Sequence, residues 1–142
     1  MNLSRSKAFA RFLAQLPYPP CVASPSTRER LQLSLEVTDL AELFGDRVFS
    51  VEQVEQGKPA PDLYLFAARS VGARPADCIV IEDSTLGTRA AVAAGMGTVG
   101  FVGASHADPE LAHQLRMAGA RTVVTSMSDL PGAIKDVVEA CM

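Results

Sequence analysis

The sequence feature that most constrains the fold is an abrupt change from a strand pattern to a helix pattern in the middle of the chain. Ile79 to Ile81 is a short β-branched apolar run, which predicts a buried strand. The run ends in two adjacent carboxylates, Glu82 and Asp83. Ser84 then occupies a typical N-cap position, and residues 88–94 are rich in strong helix formers. Ligands of open α/β sheets bind beyond the carboxyl ends of the strands, so this junction is a candidate binding site.

Strand and helix patterns alternate along the whole chain. The predicted strands span 21–23, 47–49, 79–81, 98–102 and 121–125, and the predicted helices span 4–16, 27–35, 62–71, 88–94, 108–118 and 129–138. Ser26 and Ser128 are predicted to cap the helices that follow them. Alternation of this kind predicts an α/β fold in which helices cover both faces of a mainly parallel sheet.

The composition indicates one ordinary globular domain over residues 1–142. The net charge is −3 and the basic residues are scattered, which argues against nucleic acid and anionic membranes as partners. Because no apolar stretch is long enough for a membrane span and the first residues do not form a signal-like segment, the sequence predicts a cytoplasmic protein. Cys21 and Cys78 open predicted strands and are predicted to be small buried groups.

Two further polar residues are predicted to lie near the same edge of the sheet as the carboxylates. Ser24 directly follows a predicted strand and offers a hydroxyl and a backbone N–H to a phosphate. Lys58 lies between Gly57 and Pro59 in a loop before a helix, a frame that restricts where its ammonium points. A point charge of this kind suits a phosphate oxygen or an anionic nucleophile.

Each of these residues also has a purely structural interpretation. Glu82 and Asp83 would be solvated surface groups, or Asp83 would cap the following helix. Lys58 would be an exposed charge, and Ser24 would stabilise a turn. The functional interpretation is that the two carboxylates bind a hard divalent cation, since one or two carboxylates suffice for Mg²⁺, which keeps several of its waters.

Taken together, these segments resemble three of the four signature motifs of the haloacid dehalogenase-like hydrolases, in particular the phosphoglycolate phosphatase and β-phosphoglucomutase-like branch. The matching segments are Val22-Ala-Ser-Pro-Ser26, Gly57-Lys-Pro-Ala-Pro-Asp62 and Ile81-Glu-Asp-Ser-Thr-Leu-Gly87, the last followed by Ala90-Ala-Val-Ala-Ala-Gly-Met96. The resemblance covers the chain from Ser4 to its end. It implies a three-layer, Rossmann-like α/β core with a mainly parallel sheet.

The resemblance implies substrate-binding roles at the first two motifs. Ser24, with Pro25 and Ser26 beside it, would contact the transferring phosphoryl group, and the Ser24 hydroxyl would donate a hydrogen bond to it. Lys58 would neutralise charge on the nucleophile and the phosphate. Ser24 and Lys58 would therefore be the catalytic residues of this chain.

The third matching motif would hold the cofactor. By the resemblance, Glu82 and Asp83 bind Mg²⁺, and Ser84 supports them from the cap position of the next helix. The implied function is that of a Mg²⁺-dependent phosphatase that acts on small phosphorylated metabolites such as sugar phosphates.

One signature of the family has no counterpart in these 142 residues. The family's first motif, Asp-x-Asp-x-Thr, supplies the nucleophilic Asp and the general acid/base, and no Asp-x-Asp occurs in the sequence. The resemblance therefore predicts an N-terminally truncated core without the central first strand and the cap domain. An isolated chain of this kind is predicted to be inactive.

The missing strand would leave the strands at 21–23 and 79–81 each with an unpaired edge. Unpaired buried backbone groups cost about 1–3 kcal/mol each. We therefore expect that these strands pair with each other, that another chain supplies the strand, or that the chain is marginally folded. The functional alternative is a non-catalytic module that binds anions and metal or assembles with another chain.

Overall fold

The computed structural model describes residues 10–103 and 108–140. The chain divides into two compact units, Met1–Glu55 and Gln56–Met142. The expectation of a single domain stays a prediction. Two residues with an expectation from the sequence lie outside the described residues: His106, which follows a predicted strand and is a candidate substrate contact, and Cys141, which is predicted to be a free thiol without a role.

The first unit combines short helices with a small parallel sheet. Its elements are α1 (10–15), β1 (Val22–Ser24), α2 (Arg28–Val37), α3 (Ala41–Phe44), β2 (Val48–Ser50) and a 3-10 turn (Val51–Gln53). Strands β1 and β2 run parallel, with Ala23 opposite Phe49 and Ser24 opposite Ser50. This register brings the carboxyl ends of both strands to the same edge.

Apolar side chains from the helices form the core of the first unit. The buried members are Leu13, Leu31, Leu35, Leu40 and Phe44. Leu31 and Leu35 are four residues apart, so they share one face of α2. The sequence predicts this helix from the capping residues before it rather than from this spacing.

The second unit is a three-stranded parallel sheet with helices between the strands. Its elements are α4 (Asp62–Val71), a 3-10 turn (Pro75–Asp77), β3 (Ile79–Glu82), α5 (Thr85–Ala93), β4 (Gly97–Phe101), α6 (Pro109–Met117), β5 (Thr122–Val124), a second 3-10 turn (Met127–Asp129) and α7 (Leu130–Ala140). The strand order is β3-β4-β5, and both pairs are parallel. The predicted α/β fold with parallel strands is confirmed.

The core of the second unit is built around its central strand. Residues 97–100 of β4 are all buried, because strands lie on both sides of it and helices pack on it. Val99 of β4, Leu63 of α4 and Leu115 of α6 have no exposed surface. A strand buried on both faces is expected to be continuously apolar rather than alternating. Residues 98–102, from which this strand is predicted, are mainly apolar and do not alternate with polar residues.

Two predicted caps are wrong by one or two residues. Thr27, not Ser26, caps α2, with its side chain accepting from the Arg30 N–H. Ser126, not Ser128, caps the turn that leads into α7. In both segments several serines and threonines lie close together, so residue type alone does not decide which of them is the cap. Cys21 was also predicted wrongly, since it is exposed.

The two strands predicted to lack a neighbour are found in separate sheets. β1 pairs with β2, and β3 pairs with β4. Among the described residues, the expected direct pairing of these two strands is therefore not found. The other two outcomes, a strand from another chain or a marginally folded chain, stay predictions, as does the truncated core.

In the part of the chain that the structure describes, none of the helices has the length and apolar character needed to span a bilayer.

Candidate functional site

The junction between β3 and α5 places the two carboxylates where the sequence predicted them. β3 ends at Glu82, and Ser84 caps α5 by accepting a hydrogen bond from the Gly87 N–H at 3.0 Å. Strand residues alternate between faces, and the buried positions of β3 are Val80 and Glu82. Glu82 therefore points to the covered side of the strand, whereas the next residue, Asp83, is exposed.

The buried carboxylate of Glu82 accepts hydrogen bonds on both oxygens. Oε1 accepts from the backbone N–H of Asp83 at 3.1 Å and from the N–H and hydroxyl of Ser84 at 3.3 and 3.1 Å. Oε2 accepts from Lys58 Nζ at 3.0 Å and from the Tyr64 hydroxyl at 2.5 Å. A carboxylate offers about four lone-pair directions, so these five donors satisfy it fully.

Lys58 reaches Glu82 from the loop before α4. Its side chain is only 11% exposed, and it forms an ion pair with Glu82. Its ammonium also lies over the ring of Tyr64, 5.0 Å from the ring centroid. This distance is within the range of a cation–π interaction. The plain interpretation of Lys58 as a solvated surface charge is therefore wrong.

Tyr64 is the site residue that sequence reasoning missed. It lies on α4 among the buried residues Leu63, Ala67 and Ala68, and it shares Oε2 of Glu82 with Lys58. Burial raises the pKa of the Tyr64 hydroxyl, and the nearby charge of Glu82 raises it further. The hydroxyl is thus a neutral donor. A signal was present in the sequence, because a tyrosine on a buried helix face needs a partner for its hydroxyl.

The pKa values of the two neighbouring carboxylates shift in opposite directions. Burial alone would raise the pKa of Glu82, but the hydrogen bond from Tyr64 and the charge and hydrogen bond of Lys58 outweigh it and hold the pKa below its ordinary value. For Asp83, partial burial of the carboxyl, a hydrogen bond with Glu82 and the negative charge of Glu82 raise the pKa. The site therefore favours the ionised form of Glu82 and disfavours the ionised form of Asp83.

Gly87 leaves the space that the Glu82 side chain occupies. A Cβ atom built on Gly87 would lie 2.0 Å from both Cδ and Oε2 of Glu82. No side chain fits at that distance. The glycine in the first turn of α5 thus lets the helix approach the carboxylate closely.

The residues of the predicted serine motif form a separate network within the first unit. Ser24 Oγ accepts a hydrogen bond from the Ser26 N–H at 3.1 Å, and the Ser26 carbonyl accepts one from Ser50 Oγ at 2.6 Å. Since Ser24 Oγ accepts here, its own proton stays available for another acceptor. Pro25 is exposed and, as a proline, has no N–H to donate. The N–H of Arg28, at the start of α2, already donates to Glu52 at 2.5 Å.

Among the described residues, no group of three or more His, Cys, Asp or Glu side chains is arranged to hold a metal ion. A cation at Asp83 would therefore need most of its ligands from water or from a bound substrate. An exposed carboxylate beside a buried lysine provides one attractive group for a cation and one for an anion. Chemically, such an arrangement suits a metal-bound phosphate.

Comparisons with known proteins agree on one family. The family model for haloacid dehalogenase-like hydrolases matches residues 3–95. The 6-phosphogluconate phosphatase of Escherichia coli is 28% identical over 119 residues, which cover 84% of this chain and 51% of that protein. This chain thus spans about half the length of that curated relative.

Two solved structures share both sequence and fold with this chain. A haloacid dehalogenase-like protein of unknown function from Agrobacterium tumefaciens is 39% identical, with a TM-score of 0.83 over 91% of this chain and 58% of that chain. A hydrolase of the same family from Deinococcus radiodurans, with bound phosphate and sodium, is 39% identical, with a TM-score of 0.82 over 92% of this chain and 57% of that chain.

Proposed function

This chain belongs to the haloacid dehalogenase-like hydrolase family, and from that premise we propose that its second unit carries the phosphate- and Mg²⁺-binding part of a phosphatase site. The substrate class we propose is a small phosphorylated metabolite such as a sugar phosphate. The similar phosphatase from Escherichia coli is named for a substrate of this class.

The observation that carries the proposal is the pairing of Lys58 with Glu82 directly beside the exposed Asp83. An ammonium held at a defined point, next to a carboxylate facing solvent, matches the two charges that a metal-bound phosphate presents. Lys58 would attract the phosphoryl oxygens and offset the charge that builds up on them during transfer. Glu82 would keep Lys58 in position through their ion pair.

The residues present fit a magnesium ion at Asp83. Its carboxylate is exposed and is a hard oxygen ligand. Partial burial and the neighbouring charge of Glu82 both raise its pKa and disfavour its ionised form. A cation there would relieve that repulsion. Because the oxygens of Glu82 are satisfied by five donors, Asp83 would bind the ion directly and Glu82 would contribute its charge. When bound, Mg²⁺ would neutralise charge on the phosphate.

We propose that Ser24 keeps its predicted role as a hydrogen-bond donor to phosphate, since its hydroxyl oxygen accepts from Ser26 and retains its proton. Pro25 and Ser26 would contribute by shaping this turn, because Pro25 has no N–H and the N–H of Ser26 donates to Ser24. Turnover by the chain of 142 residues alone is not expected, because the sequence contains no Asp-x-Asp motif to supply a nucleophile.

Isothermal titration with inorganic phosphate tests the proposed function. We expect phosphate to bind in the presence of Mg²⁺ and to bind at least about tenfold more weakly without it. Asp83→Ala should remove this dependence on Mg²⁺, whereas Asp136→Ala, at an exposed position of α7, should retain it. Phosphate binding that is equally tight with and without Mg²⁺, or unchanged in Asp83→Ala, would contradict the proposal.

An assay with p-nitrophenyl phosphate tests the expected lack of turnover. The wild-type chain with Mg²⁺ should hydrolyse it no faster than a blank. Robust hydrolysis that disappears in Asp83→Ala would show that this chain contains a nucleophile we have not identified.

A second candidate function is assembly with another chain. Among the described residues, β3 is hydrogen-bonded on one side only, to β4, and forms the end of its sheet. An edge strand of this kind can accept a further strand. Binding of Mg²⁺ and phosphate without turnover, together with a concentration-dependent mass in sedimentation, would favour this function.

A further inference from the structure

We propose that Tyr64 is a positioning residue of this site, whose hydroxyl and ring together set the location and the effective charge of the Lys58 ammonium. This inference rests on the proposed function, since phosphate is the ligand for which the ammonium is positioned. Tyr64, Lys58 and Glu82 make three mutual contacts: Lys58 to Glu82, Tyr64 to Glu82, and Lys58 to the Tyr64 ring.

The Tyr64 hydroxyl acts on the carboxylate. It donates to the same oxygen of Glu82 that receives the lysine, at 2.5 Å against 3.0 Å. Because the hydroxyl satisfies part of the charge on Oε2, Lys58 is less fully neutralised by its ion pair. Hydrogen bonds to charged groups are stronger than those between neutral groups. Loss of this donor should therefore change the interaction between Glu82 and the Lys58 ammonium.

The Tyr64 ring acts on the lysine itself. The ammonium lies over the ring face, where the quadrupole of the ring attracts a cation without neutralising its charge. Tyr64 is 7% exposed and sits on α4 between other buried residues, so its ring has little freedom to move. A rigid aromatic surface below the ammonium therefore restricts where a flexible four-carbon side chain can place its charge.

Gly87 defines the other side of the same arrangement. The carboxylate of Glu82 lies so close to Gly87 that a Cβ there would be 2.0 Å away. The backbone of α5 and the hydrogen bonds from Tyr64 and Lys58 together confine the Glu82 carboxylate. Tyr64 thus supplies, from α4, one of the contacts that hold this carboxylate in place.

The experiment compares Tyr64→Phe, which removes only the hydroxyl, with Tyr18→Phe, which removes the hydroxyl of the other tyrosine at an exposed position. Phosphate affinity with Mg²⁺ present is measured by titration, and the side-chain ammonium signals are observed by NMR in ¹⁵N-lysine-labelled protein. Lys135, which is exposed, is the internal reference. Urea unfolding shows that each variant is folded under the conditions used.

In Tyr64→Phe we expect phosphate to bind about tenfold more weakly, because the ammonium is drawn toward an oxygen that has lost its second donor. The Lys58 signal should shift while that of Lys135 stays in place. Tyr18→Phe should match the wild type in both measurements. Tyr64→Leu, which also removes the ring, should weaken binding by a further factor of about three.

A folded Tyr64→Phe with an unchanged Lys58 signal and unchanged phosphate affinity would overturn the inference, because a merely structural tyrosine would change only the urea midpoint. If the wild type binds no phosphate, the proposed function fails, yet the Lys58 signal still tests the role of Tyr64. If the variant does not fold, nuclear Overhauser contacts between the Tyr64 ring and the Lys58 side chain in the wild type decide, and their absence would overturn the inference.

Discussion

At the scale of single residues, the site is defined by the different environments of two adjacent carboxylates. Glu82 is buried and satisfied by donors from Lys58, Tyr64 and its own turn, whereas Asp83 is exposed. The sequence predicted both as metal ligands, because adjacent residue types alone do not show which carboxylate is turned inward. That prediction remains untested, and the geometry favours Asp83 as the residue that would contact the ion.

Asp83 should destabilise the folded chain at neutral pH. Its pKa is raised from the ordinary value of 3.8, so folding disfavours its ionised form. The resulting loss of folding stability is fully present above the raised pKa and is absent below the pKa of the unfolded state. Asp83→Asn should therefore raise the free energy of unfolding by about 0.5–1 kcal/mol at pH 7, a small value because solvent screens the exposed carboxylate. The gain should disappear as the pH falls below about 4.

Urea unfolding across this pH range measures the effect, and Asp46→Asn, at an exposed position, is the control. The control should show no gain at either pH. A loss of stability in Asp83→Asn at pH 7 would mean that the ionised Asp83 makes a favourable contact in the fold, which would contradict this prediction.

At the scale of elements, the close approach of α5 to the end of β3 determines how the site is built. Ser84 starts the helix, and Gly87 in its first turn faces the Glu82 carboxylate. The sequence predicted the strand, the cap and the helix, because each depends on neighbouring residues. It did not predict that Gly87 is needed for contact with Glu82, since that depends on how the helix packs.

Gly87→Ala should lower the free energy of unfolding by about 1–3 kcal/mol, the usual cost of inserting a group into a filled space. The added Cβ would meet Glu82, which is held by Lys58 and Tyr64 and cannot move without breaking those hydrogen bonds. Chemical denaturation provides the measurement.

Gly132→Ala in α7 is the matched control, because it is also a helical glycine but has open space around its Cβ position. We expect it to be neutral or to stabilise the chain by up to about 1 kcal/mol, since alanine favours helix over glycine. If Gly87→Ala is as well tolerated as Gly132→Ala, then the Glu82 side chain is not confined as described.

At the scale of the whole molecule, the two compact units differ in how their sheets are supported. In the second unit, β4 has a parallel strand on each side and four consecutive buried residues. In the first unit, β1 and β2 form a sheet of two three-residue strands, and all three residues of β1 are partly exposed. Two-stranded sheets contribute little stability of their own, so the units should open with different free energies.

Hydrogen exchange tests this difference. Backbone amides of β4 should exchange more slowly than those of β1, by a factor on the order of ten or more. The measurement is native-state exchange followed by NMR or mass spectrometry. Equal rates in the two strands would mean that the chain opens as one cooperative unit.

The sequence by itself determined the α/β class, the order of the strands and helices, and the junction of strand, carboxylates and cap at Glu82 to Ser84. These features depend on periodicity, on capping and on a family pattern within short segments. Even the errors at Ser26 and Ser128 are shifts of one or two positions among neighbouring hydroxyl residues.

Only the tertiary structure decided which groups meet at the site. Tyr64 and Lys58 reach Glu82 across 18 and 24 residues of sequence, respectively. Their meeting depends on how α4 and the preceding loop pack against β3 and α5, and no local pattern encodes that packing. For the same reason the sequence could not show that Glu82 is saturated with donors while Asp83 faces solvent. The charges were visible in the sequence, but burial and distance determine what they can bind.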